Sequence, residues 1–162
     1  MTLKNLTTAI LVIISVSFFL YAKNKGMTGS TLKNGEGCDC HGDISNKVSV
    51  VINGPAEIKK GETQDYQVVI SGGPMINAGV NIAVSQGELI AGKGLKLSKK
   101  ELTHTEPVKA TDKKVVFDFK YKASGSANEI IIYATGNSGN GNDAKRGDLW
   151  NHAQNKNIKI LN

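Results

Sequence analysis

Between residues 113 and 122 the chain alternates: Val115, Phe117, Phe119 and Tyr121 fall on one side, Val116, Asp118, Lys120 and Lys122 on the other. That period of two belongs to a strand with one packed face and one wet face. From residue 46 onward the stretches "KVSVVI", "DYQVVIS", "GVNIAVS", "GELIAG", "NEIIIYATG" and "NIKIL" read the same way, and turn-forming segments such as "GPAEIKKGETQ" separate them. The chain has about seven or eight such stretches, no convincing helical period and no internal repeat. The pattern predicts an all-β fold, an antiparallel β-sandwich over residues 46–162. The longest region without strand character is "TGNSGNGNDAKRGD", residues 135–148. It lacks EF-hand spacing and the closing glutamate, so a structural loop is expected there.

The hydropathy of the first residues is of another kind. Lys4 precedes a mostly apolar run from Ala9 to Leu20, and "LYA" leads into polar chain. The run is shorter than the roughly 20 residues that span a membrane, so residues 1–22 are expected to be a signal peptide cleaved after Ala22. The mature protein is then exported, to a periplasm or to the exterior and cell surface, without a stable membrane anchor. Residues 23–45, containing "KNKGMTGSTLKNGEG", form a glycine-rich leader ahead of the strands. The 162 residues include 18 glycines and only 6% aromatics, and the net charge of +6 comes from scattered lysines. A nucleic-acid partner is not expected, because clustered cations interleaved with aromatics are missing. A basic surface of this kind steers an acidic protein partner without identifying it.

The leader ends in "GEGCDCHGD", which contains both cysteines. Covalent haem attachment uses two thiols and a histidine directly after the second, usually spaced C-x-x-C-H. Cys40 and His41 keep that adjacency, and Cys38 lies one residue closer than usual. One thioether from Cys40 with ligation by His41 is therefore stereochemically natural. A second thioether from Cys38 requires a tighter loop, which Gly35, Gly37 and Gly42 permit. Three other chemistries compete: a strained Cys38–Cys40 disulfide, a zinc site completed by His104 or His152, and a copper site with the same ligands.

Taken in order, "TGSTLKNGEGCDCHG", "GPAEIKKGETQDYQVVISGG", "NAGVNIAV", "LTHT" and "IIYATGNSGNGNDAKRGD" resemble the bacterial Reeler-like domains, often called choice-of-anchor V proteins. The resemblance covers nearly the whole mature chain. It implies an immunoglobulin-like β-sandwich behind a glycine-rich leader, and it implies haem c, an iron cofactor, at Cys38, Cys40 and His41. His104 falls on the histidine of the family's "THT". Two features depart from the family: the shortened cysteine spacing, and a chain that stops at "IKILN" without a C-terminal anchoring segment.

A haem iron also takes a sixth ligand, for which His104, His152, Met27 and Met75 are the candidates. His104 is the first choice, since Thr103 and Thr105 flank it on a short strand and the resemblance marks it. His152 is the second, beside Trp150. No G-x-S-x-G or H-E-x-x-H is present, and Glu57, Glu62, Glu88 and Glu101 read as solvated surface acids. The expectation is an exported monohaem electron carrier with a redox protein as partner, rather than an enzyme. The alternative is an exported binding module whose Cys/His cluster is a structural metal site or a disulfide.

Overall fold

The side chains of Val115, Phe117, Phe119 and Tyr121 are buried to 3% exposure or less, while Lys114, Val116, Asp118 and Lys120 stand in solvent. The computed structural model describes residues 25–35, 37, 42–142 and 146–162. The expected signal peptide and the motif residues Cys38, Cys40 and His41 lie outside the described residues. Along the chain the strands are β1 (Asp43–Ile44), β2 (Val48–Asn53), β3 (Glu57–Lys59), β4 (Thr63–Gly72), β5 (Asn77–Val84), β6 (Glu88–Ala91) and β7 (Leu95–Ser98). They continue as β8 (Glu101–His104), β9 (Val108–Lys109), β10 (Lys114–Lys122), β11 (Glu129–Gly139), β12 (Leu149–His152) and β13 (Lys156–Leu161).

Two sheets pack face to face, the all-β sandwich expected from the alternation. The smaller runs β2-β4-β10-β6 and is antiparallel throughout. The larger runs β1-β12-β11-β5-β8-β7, with β13 also on β11, β3 on β13 and β9 on β5. Two of its edge pairs are parallel, β1 with β12 and β3 with β13. Between the sheets, Tyr66, Ile70, Phe117 and Phe119 meet Ile82, Leu102, Ile130, Ile132 and Ile158. Tyr66 stacks on Phe119 at 5.7 Å and meets Tyr121 edge-on at 6.3 Å. Both hydroxyls find carbonyls at the rim, Pro55 for Tyr66 and Gln86 for Tyr121. Burial pushes the Tyr66 phenol up to about 12, with Tyr121 adding to the effect, so it remains a neutral donor.

One expectation needs correcting. The segment "TGNSG" is not loop but the second half of β11, paired with β5 as far as Gly139↔Asn77 and with β12 as far as Ser138↔Leu149. Its small residues are there because the sheets approach closely. A Cβ on Gly136 would come within 2.6 Å of Ile70 Cδ1, and the Ser138 hydroxyl is buried, accepting from Met75 N–H and donating to the Gly72 carbonyl. Composition imitates a loop wherever a strand is crowded on both faces.

Two substitutions on β10 test this packing. Phe119→Ala should cost about 3–5 kcal/mol of unfolding free energy through lost burial and a residual cavity. Lys120→Ala removes an exposed pair with Asp65 and should change stability by less than about 1 kcal/mol. Urea denaturation of both variants measures the difference.

Candidate functional site on the outer face of the larger sheet

The outer face of the larger sheet presents polar residues in a transverse row. Thr103 on β8 pairs with Asn81 on β5, Asn81 with Thr135 on β11, and Thr135 with His152 on β12. An outward face should be wet, yet Thr103 and Thr135 are at most 3% exposed, Asn81 4% and Glu101 6%. The leader covers them as a strap. Gly26 N–H donates to the His104 carbonyl, Gly29 N–H to Glu101 Oε2 at 2.8 Å, and Ser30 N–H to Asn81 Oδ1 at 2.9 Å. In return, Thr135 donates its hydroxyl to the Ser30 carbonyl at 2.8 Å. Thr31, between these bonds, is fully buried. Glu101 is thus not the solvated acid its sequence neighbours suggest. It takes bonds from Gly29, Asn34 and Asn81, whereas Glu57, Glu62 and Glu88 are exposed as expected.

After crossing the sheet, the strap reaches the C-D-C-H stretch. Gly37, just before it, has φ +73°, and a Cβ there would stand 2.6 Å from the Trp150 indole and 3.5 Å from His152 Nε2. Gly42, just after it, has φ +61° and lies so close to the Asp148 carbonyl that a side chain would not fit. Asp43 and Ile44 then pair with Leu149 and Trp150 as β1. Both flanks of the motif are therefore seated along β12 and the residue before it.

The two candidate histidines differ in what holds them. His104 lies over Gly79, whose missing side chain makes room for the ring, and its Nδ1 accepts the Val80 N–H at 3.0 Å. The same Nδ1 lies 3.2 Å from the Val80 carbonyl, so the ring meets both backbone groups of Val80. His152 is held by a side chain of the neighbouring strand instead. Its Nδ1 lies 2.7 Å from Thr135 Oγ1, and the single hydroxyl proton of Thr135 is directed to Ser30. Nδ1–H must then be the donor, and the lone pair rests on Nε2, the nitrogen nearest Gly37. Burial lowers the His152 pKa, which favours this neutral form, and Trp150 supports the ring edge-on at 5.2 Å. Of the candidate methionines, Met75 is a core side chain and Met27 stands exposed on the strap.

The loop before β12 holds itself together. Asp148, 7% exposed, accepts from Asn140 N–H and Asn137 Nδ2, and the side chains of Asn140 and Asn142 both donate to the Arg146 carbonyl. Among the described residues, no three His, Cys, Asp or Glu side chains gather closely enough to hold a metal.

No protein-family model matches the chain, and no curated protein matches it. Among solved structures it is similar to a CARDB domain from Pyrococcus furiosus, determined in complex with di-metal ions. That match has 17% identity and a TM-score of 0.42, over 70% of this chain and 91% of that one. A PKD domain of an M14-like peptidase from a Thermoplasmatales archaeon matches with 13% identity and a TM-score of 0.40, over 74% of this chain and 95% of that one.

Trp150 is the chain's one tryptophan, so its fluorescence reports on the seat of the motif. Gly37→Ala places a methyl group against the indole at a left-handed φ, and strain of this sort costs about 1–3 kcal/mol. The emission should shift to the red as this part of the strap lifts. An unchanged spectrum would show that Gly37 does not rest on Trp150 in solution.

Proposed function

We propose that the protein is an exported monohaem c-type cytochrome-like electron carrier. Haem c is attached at the C-x-C-H segment through Cys40 and, with the loop tightened, Cys38; His41 is the first axial ligand, and a histidine from the outer face of the larger sheet is the second. The observation that carries this reading is the seating of both motif flanks, Gly37 and Gly42, on β12 beside a neutral imidazole. The donor set suits the group: two thiols, an adjacent histidine, and a sheet-borne imidazole with a lone pair. The resemblance to the Reeler-like domains supports the same assignment.

Bound haem would supply a one-electron iron centre. The chain's own residues would hold the flanks of the motif, Gly37 and Gly42, against Trp150 and Asp148, with the His152 imidazole beside Gly37. Ligation by two histidines leaves no open position for a substrate, which suits electron transfer rather than catalysis. The net charge of +6 makes an acidic redox protein the fitting partner.

A closed zinc site of Cys38, Cys40, His41 and one sheet histidine is the second reading. The short approach of Gly37 to His152 Nε2 favours it, because a four-coordinate ion spans little space. Intact mass and metal content of the mature protein, made in a host with c-type maturation, separate the two. The expected result is the polypeptide plus one haem that survives acid acetone extraction. A bare polypeptide with stoichiometric zinc would replace the haem reading, and a bare polypeptide with neither metal nor titratable thiol would point to the disulfide.

A further inference from the structure

We infer that the outer face of the smaller sheet docks on the same face of a second copy of this chain, forming a two-fold dimer that does not depend on the haem reading. On that face the register lines up side chains in rows that cross the strands. Ser49, Ser71 and Lys114 form one row, Val51, Val69 and Val116 the next, and Asn53, Gln67 and Asp118 the third. The strap lies on the other sheet, and this face is open. Val51 is 46% exposed and Val116 40%, with Val69 half-buried between them, so three neighbouring strands carry one continuous apolar band. Gln67 Nε2 donates to Asp118 Oδ1 at 2.7 Å, which fixes a carboxylate on one side of the band. Lys114 stands in solvent on the other side.

The order of the rows decides the occupant. A two-fold axis along the valine band turns the face over and reverses the strand direction, so each valine meets its own counterpart and the two polar rows meet each other. Lys114 of one copy then comes over Asp118 of the other, and symmetry forms the same pair a second time. Ser49 faces Asn53 and Ser71 faces Gln67, hydrogen-bonding groups without charge. The next outward charges, Lys120 and Asp65, already neutralise each other within the chain at 2.6 Å. An axis along the strands would instead set Lys114 over Ser49 and leave Asp118 without a cation. The face is small. With strands about 4.8 Å apart and outward rows about 7 Å apart, it covers about 400–500 Å² per copy. A dimer burying about 800–1,000 Å² in all lies at the low end of specific interfaces, so association is weak and reversible, and the charges set its orientation.

Sedimentation equilibrium of the mature protein, from micromolar to millimolar concentration, should show a monomer–dimer equilibrium. Lys114→Glu and Asp118→Lys each set like charges against one another at both contacts, so each alone should weaken the dimer about tenfold or more. An equimolar mixture of the two variants restores opposite charges at both contacts and should associate as the parent does. Val116→Asp places two carboxylates face to face on the axis and should leave monomer. All three positions are exposed, circular dichroism checks that each variant is folded, and the charge exchange stands without Val116→Asp. A parent protein that is monomeric throughout would overturn the inference. So would a dimer indifferent to Lys114→Glu and Asp118→Lys, or a mixture that associates no better than its components.

Discussion

The burial of a polar row on the outside of a sheet is the constraint on which the arrangement of this protein depends. Glu101, Asn81 and Thr135 lie on a face that the fold alone would leave to water, and each is buried with its partners supplied. Those partners are largely backbone groups of a segment that belongs to neither sheet. A buried polar atom left unpaired costs more than its hydrogen bond is worth when made, so the row and the strap require each other. Without the strap the row would be a solvated surface. Without the row the strap would be a polar, glycine-rich tail with little to bury.

That reciprocity explains what could be read in the sequence. The sandwich was legible because its strands bury one face at a time: the alternation of residues 113–122 is the burial of β10 residue by residue. The strap was not legible. "GMTGSTLKNGEG" has the composition of a linker, and its order comes from bonds to residues 51 to 105 positions away in sequence. Glu101 was misread for the same reason. A carboxylate after two lysines looks solvated, and only the arrival of Gly29 and Asn34 makes it an interior acceptor.

The second half of β11 was obscured by crowding rather than by distance. Gly136 is glycine because Ile70 stands against it, Ser138 is small because it bridges Gly72 and Met75, and Thr135 and Asn137 face the covered outer surface. Each choice is dictated by a neighbour on another element, and together they spell a turn-rich segment. The motif itself stood out plainly, since two thiols and an adjacent histidine are conspicuous in any chain. Its seat did not, because that depends on two glycines whose purpose is to bring backbone against Trp150 and Asp148.

Energetics give the strap a role beyond cover. Ordering a residue costs about 1–2 kcal/mol of backbone entropy, while a hydrogen bond returns about 0.5–1.5 kcal/mol net. Bonds at Gly26, Gly29 and Ser30 do not by themselves offset the ordering of a glycine-rich segment. Burial of Gly37 and the short β1 pairing add to them, whereas the buried Thr31 hydroxyl, which has no hydrogen-bond partner, works against them. A ligand that bound only the docked form would favour docking through its binding free energy. Conversely, Ser30 must be docked for Thr135 to spend its proton there and fix the tautomer of His152. Strap and sheet are thus joined through one hydroxyl, and the side chain on which that junction turns is Thr135.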